Sequence, residues 1–172
     1  MPAASPLASA IGSSDRFADG RADFNFFWGS WRVRHRRLKR RLAGSDEWEN
    51  FDGRCATRPI IGGLGNIDDN EIELPDGTYL ATTVRLFRPK TQRWSIWWVD
   101  ARDPTLQPPV EGAFENGVGT FYGDDEYEGR AIRVRFLWSD ITPISARWKQ
   151  AFSIDGGANW ETNWRMDFTR VE

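Results

Sequence analysis

A chain with one histidine concentrates its neutral-pH proton chemistry in one place, and here that residue is His35, inside "WRVRHRRLKRRL". Read as a strand, the segment alternates Trp31, Val33, His35 and Arg37 on one face, with Arg32, Arg34 and Arg36 on the other. Trp31 belongs inside, so His35 and Arg37 follow it inward. A second polar group comes from "RWSIWWVD": if Trp94, Ile96 and Trp98 face in, Asp100 does too. Both faces of that segment are apolar, so its register stays open. Asn66 and Asp68 alternate together and join the inward set on the same condition.

A guanidinium fork suits a carboxylate or enolate, and indole faces stack on flat rings. The residues expected to line a ligand site are therefore Trp31, His35, Arg37, Trp98, Phe136, Trp148, Gln150 and Trp164. The ligand expected is flat or partly apolar, with an anionic or polar group. A second reading makes the chain a cofactor-independent cyclase or isomerase, with His35 or Asp100 as its acid or base. The bland account leaves these polar groups at the rim of the fold, solvated or ion-paired, with His35 a hydrogen-bonded structural residue.

Composition narrows the field. Formal charge is −2, so no global field draws nucleic acid or membrane. The local run "RVRHRRLKRR" permits a third reading, a polyanion-binding module. A strand splits the run between two faces, and cross-strand pairing with Glu49, Asp52, Glu71 or Glu161 is the simpler account of its outer half. The one cysteine, Cys55, excludes an intrachain disulfide and suits a reducing compartment, so a cytoplasmic location is expected. One His and one Cys do not make a zinc site. A haem would have to take its axial ligand from an arginine-flanked first strand, so no cofactor or metal is expected. No nucleophile elbow, phosphate loop or dinucleotide fingerprint occurs. The acidic clusters Asp68-Asp69 and Asp124-Asp125-Glu126 have the oxygens for a cation but no loop pattern of ligands, and read as solvated turns.

The elements that must position these groups are strands. Residues 1–14 read as a flexible tail without the charged and apolar regions of a signal peptide, and 15–172 as one domain. A short helix capped by Ser14 or Asp15, with Phe17 on its apolar side, is expected before Gly20. A helix through Trp31, His35, Leu38 and Leu42 is the alternative for the first segment; Gly29 and β-branched Val33 favour a strand. Alternating segments then follow, punctuated by "IGGLG", Pro75-Asp76-Gly77, "PKTQ", a Pro-rich stretch over 103–109, Asn116-Gly117 and Asp155-Gly156-Gly157. Nine or ten strands joined by short turns must hide their edges. The expected fold is all-β, an antiparallel up-and-down barrel of eight to ten strands after a short N-terminal helix. Ten tryptophans in such a barrel make either a core of large rings or an aromatic-lined cavity.

On the last two strands the expected inward set is Trp148, Gln150, Phe152, then Trp160, Thr162, Trp164, Met166 and Phe168. Arg147, Lys149, Ser153, Glu161, Asn163, Arg165 and Asp167 are expected outside. Before them Ile132, Val134, Phe136 and Trp138 point in. The hairpin "SIDGGANW" matches S-x-D-x-G-x-x-W, a pattern of propeller blades. It occurs once, and a propeller does not fit this length. Its Asp155 is expected to bond its own turn, with Gly156 and Gly157 supplying positive φ.

The opening "FFWGSWRV" resembles that of calycin-type barrels, whose first strand carries Gly-x-Trp, here Gly29, Ser30, Trp31. Together "FNFFWGSWRVRHRRL", "GGLGNID", "LFRPKTQRWSIWW" and "SARWKQAFSIDGGANWETNWRM" resemble the bacterial DUF1579 family, over roughly residues 22–170. The resemblance implies a lipocalin-like barrel and supplies no reaction. It also implies a late-strand arginine against the Trp31 indole, Arg165 or Arg170. The partners expected are a small hydrophobic or aromatic ligand, with no membrane and nucleic acid disfavoured; a homodimer is left open.

Overall fold

The computed structural model describes residues 19–171. The expected tail, and the expected helix up to residue 18, lie outside them; Gly20, expected to end that helix, instead opens a 3₁₀ turn. Within them the chain is an all-β closed barrel of ten antiparallel strands, with two short 3₁₀ turns at its N-terminal side, Gly20–Ala22 and Asn25–Phe27. The strands are β1 (Gly29–Leu38), β2 (Trp48–Ile60), β3 (Gly65–Leu74), β4 (Gly77–Arg88), β5 (Arg93–Asp100), β6 (Val110–Glu115), β7 (Val118–Tyr127), β8 (Arg130–Ser139), β9 (Ser145–Ser153) and β10 (Glu161–Arg170). Each pairs with its neighbours in sequence, and β1 closes on β10 from Trp31–Arg170 to Arg37–Trp164.

One end is plugged. The two 3₁₀ turns drive Phe24 and Phe27 into the barrel, where both are fully buried. Phe24 meets Trp94 edge-on at 5.0 Å, and Phe27 stacks on Trp31 at 5.4 Å. The indole donors that this burial would orphan are spent on the plug itself. Trp31 Nε1 donates to Phe27 O (2.8 Å) and Trp94 Nε1 to Gly20 O (2.9 Å). Arg170 covers the plug from outside. Its guanidinium lies 4.2 Å from the Trp31 ring and donates to the Phe26, Trp28 and Pro143 carbonyls. The arginine against the Gly-x-Trp indole is thus Arg170. Arg165 points outward and pairs with Asp167 at 3.0 Å.

The other end is open, and its wall is incomplete. β5 and β6 share only three residue pairs, Trp94–Gly112, Ser95–Glu111 and Ile96–Val110. Past Ile96, β5 has no partner on β6, only an isolated bridge from Asp100 to Asp103, and past Tyr122, β7 has none on β6. The Pro-rich segment 101–109 crosses this gap, and its residues are nearly all exposed.

Alternation places the inward residues of β1 and β8 as expected: Trp31, Val33, His35, Ile132, Val134 and Trp138 are buried. β10 differs. A bulge between Thr162 and Trp164 adds one residue, so Trp164 pairs with Gln150 while Glu161 pairs with Phe152. Asn163 is consequently buried instead of facing out, and Thr162 is exposed. Glu161 turns toward the open end, where it accepts the Leu42 amide. Trp160 does not start an inward stripe. It lies on the outer surface, with Arg135 at 4.6 Å from its ring and Tyr122 at 5.8 Å. Ser153, on the outer face, is nonetheless buried because its hairpin folds over it. Its hydroxyl donates to Asp155 and accepts the Gly157 amide. Asp155 accepts both the amide and the side chain of Asn159, which holds its carboxyl far below the usual carboxylate range. Gly156 and Gly157 have φ of 72° and 100°.

Candidate functional site

The open half of the barrel encloses a cavity of about 350 Å³. Its walls are aromatic: Phe136 packs edge-on to Trp148 at 4.8 Å, Trp148 to Trp164 at 5.8 Å, and Trp164 to Trp98 at 6.0 Å. These four come from β5, β8, β9 and β10; Phe136 and Trp164 both stand opposite Gln150, and Trp148 is one inward row away, opposite Trp138 and Met166. Gln150 also lines the cavity, its side-chain amide donating to Asn163 Oδ1 at 2.9 Å. Five of the eight ligand-site residues read from the sequence therefore meet in one wall.

The other three part company. Arg37 is at the mouth, paired with Glu49 on β2 by contacts of 2.6 and 2.9 Å, with its guanidinium 5.1 Å from the Phe51 ring and 5.5 Å from that of Trp164. Trp31 belongs to the closed end described above. His35 sits behind the wall, between Phe51, on which it stacks at 4.7 Å, and Trp164, whose indole donates to its Nδ1 at 3.3 Å. Burial, with the Arg37 charge in support, lowers its pKa to about 3, so the ring is neutral at ordinary pH. With Nδ1 accepting, the proton is on Nε2, which finds no acceptor and faces the Cα of Gly53.

Asp100 does line the cavity, in an ion pair. Arg102 grips it through Nε (3.1 Å) and Nη2 (2.8 Å) while lying 3.8 Å from the Tyr79 ring. Burial alone would raise the Asp100 carboxyl; the hydrogen bonds from Arg102 outweigh it and hold it below the usual range.

Two groups not among the expected site residues complete the picture. Arg41, on the loop between β1 and β2, bends over the cavity, its guanidinium 5.6 Å from the Tyr127 ring and 5.9 Å from that of Phe152. Among the described residues no carboxylate lies within 4 Å of it, and burial next to Arg37 depresses its pKa. Its position beyond the end of β1 hid it, because alternation says nothing about loops. The second is Arg85, inward on β4 and only 4% exposed. It is paired with Asp68 at 2.7 Å and bonded to Asn66 at 3.0 Å. "TYLATTVRLFR" carries the signal: Tyr79, Ala81, Thr83, Arg85 and Phe87 share one face, so the arginine had to be inside.

On the outer surface Arg34 lies opposite Asp52 on one side and Asp167 on the other, and Arg147 and Arg165 both contact Asp167. Basic and acidic residues are interleaved there. Among the described residues no helix is long and apolar enough to cross a membrane, and no cluster of three or more His, Cys, Asp or Glu forms.

No family model and no curated protein matches the chain. Among solved structures, the S-type phycobiliprotein lyase CPES from Guillardia theta is similar in fold, with a TM-score of 0.59 and 12% identity. The match covers 87% of this chain and 90% of that one. The chain has a calycin/lipocalin-like barrel fold. At that identity the likeness concerns the fold alone.

Proposed function

We propose that the protein is a small-molecule-binding barrel whose ligand is flat, largely apolar and anionic at one end. The observation that carries this reading is the cavity: aromatic walls from Trp98, Phe136, Trp148 and Trp164 below an arginine, Arg41, that is partly buried without a carboxylate. Burying a cation without a counter-charge is costly. A ligand carboxylate beneath Arg41, with Arg37 alongside, removes that cost and puts the ring between indoles. Asp124, Asp125 and Glu126, which also line the opening, are exposed and do not pair with Arg41.

Binding is favoured over the cyclase or isomerase reading by the state of the two acid–base candidates. His35 is neutral and walled off behind Trp164, and Asp100 is engaged by Arg102. Binding is favoured over a polyanion module by the interleaved charges on the outer face of β1. The motif resemblance to the DUF1579 family belongs to this proposal, as does a cytoplasmic location for a chain with one thiol, buried Cys55. A metabolite screen by tryptophan quenching tests it: planar acids should quench, and Arg41→Gln should weaken their binding about tenfold or more. A barrel that no ligand quenches would end the reading.

A further inference from the structure

The loop between β1 and β2, residues 39–47, decides where Arg41 goes. Its base is closed by the Lys39 amide, which donates to the Glu47 carbonyl at 3.0 Å. Beyond that base it has no regular structure and is mostly exposed, so ties to the barrel must set its conformation. Among the described residues, the hydrogen-bonded tie is at Leu42, whose amide donates to both carboxylate oxygens of Glu161, at 2.8 and 3.0 Å. Leu42 has φ of 56°, a left-handed conformation that leucine avoids unless its surroundings hold it there. Its side chain packs against the core. The side chain before it, Arg41, is thereby turned over the cavity, where its guanidinium meets the Tyr127 and Phe152 rings.

Glu161 reaches Leu42 because β10 is irregular. In an unbroken strand it would share the outer face with Arg165. The extra residue between Thr162 and Trp164 reverses that face and sets Glu161 opposite Phe152, beside one of the two rings that flank Arg41. Two departures from regular backbone, a bulge in β10 and a left-handed residue in the loop, therefore meet in one contact at the cavity mouth. The Glu161 carboxylate is not a counter-ion for Arg41. Both its oxygens are on the Leu42 amide, and it makes no ion pair with that guanidinium. By charge alone, a carboxylate at the mouth disfavours an anionic ligand. What Glu161 supplies is position.

We infer that Glu161 is a positioning residue for ligand recognition: by holding the Leu42 amide it fixes the β1–β2 loop with Arg41 aimed into the cavity, and so gives the barrel its selectivity for a carboxylate. This rests on the binding reading above and names the residue that sets its selectivity. Tryptophan-quenching titrations with 2-naphthoate and its neutral isostere 2-naphthamide read that selectivity as a ratio of affinities. The native barrel should favour the acid about tenfold or more. Glu161→Ala should bring the ratio to within about threefold of unity while 2-naphthamide binds as before. Glu161→Gln removes the charge but keeps an acceptor for the Leu42 amide, so it should retain most of the ratio. Charge alone predicts the opposite, with both variants binding 2-naphthoate equally and more tightly than the native chain. If Glu161→Ala does not fold, Glu161→Asp keeps the charge, withdraws the oxygens by one methylene, and should lower the ratio about threefold or more. A ratio unchanged or raised in Glu161→Ala, or in Glu161→Asp in its place, or a ratio lost equally in Glu161→Gln, would overturn the inference and leave the cavity reading standing. Equal native affinity for acid and amide would overturn it together with the role of Arg41. Failure of both probes to quench would remove the binding reading as well.

Discussion

Arg170→Ala should open the plugged end of the barrel. Three carbonyls lose a charged donor: those of Phe26 and Trp28 at 2.6 Å and partly buried, and that of Pro143 at 2.7 Å near solvent. Two partly buried charged hydrogen bonds contribute about 1.5 kcal/mol each. The guanidinium over Trp31 adds roughly 0.5–2 kcal/mol. The solvated bond to Pro143 adds little. The total loss is about 3–5 kcal/mol, and with a urea m-value near 2 kcal/mol per M the unfolding midpoint should fall by about 2 M. Arg165→Ala is the control, since its partner Asp167 is half-exposed and also held by Arg147; its cost should stay under about 1 kcal/mol. Arg170→Lys should recover only part of the loss, because an ammonium lacks the fork that spans the Phe26 and Trp28 carbonyls. Urea unfolding followed by tryptophan emission measures all three. A shift for Arg170→Ala below 0.5 M (roughly 1 kcal/mol), or no larger than that for Arg165→Ala, would refute this account of the closed end.

Two further stability predictions concern single residues. His35 has its pKa lowered from 6.5 to about 3 by burial and by Arg37, so the unfolded chain binds the extra proton first as pH falls. Its contribution is complete above about pH 6.5 and is lost progressively toward pH 3, at up to ~1.4 kcal/mol per pH unit; His35→Gln should flatten the pH profile of urea unfolding by that slope, and an unchanged slope would contradict it. Gly157→Val forces a β-branched residue to φ near 100° with its Cβ 3.3 Å from the Trp160 ring. It should cost about 1–3 kcal/mol, or several degrees of melting temperature, and an unchanged melt would count against the turn geometry.

Much of the architecture is legible in residue order because strand alternation and turn chemistry are local. Trp31, Val33 and His35 must share a face of any strand, and Asp155-Gly156-Gly157 must turn whatever surrounds it. Alternation also placed Arg37, Phe136, Trp148, Gln150 and Trp164 on the inner surface. It failed at Trp160 and Asn163, because one bulge residue in β10 reverses every face before it. It could not choose between Arg165 and Arg170, because the partner of Trp31 depends on how β10 docks against β1.

The remaining decisions belong to tertiary structure for the same reason. Whether inward rings fill a barrel or line a cavity depends on the circumference, and here on the three-pair seam between β5 and β6 that leaves the mouth unzipped. Whether an inward charge is a site or a strut depends on who stands opposite. Register across four strands gave Arg37 to Glu49 and Arg85 to Asp68, the turn after β5 gave Asp100 to Arg102, and Arg41, on a loop that obeys no alternation, is left without a carboxylate. Sequence order specifies the strands and most of their faces; pairing between distant strands specifies which polar groups remain for a ligand.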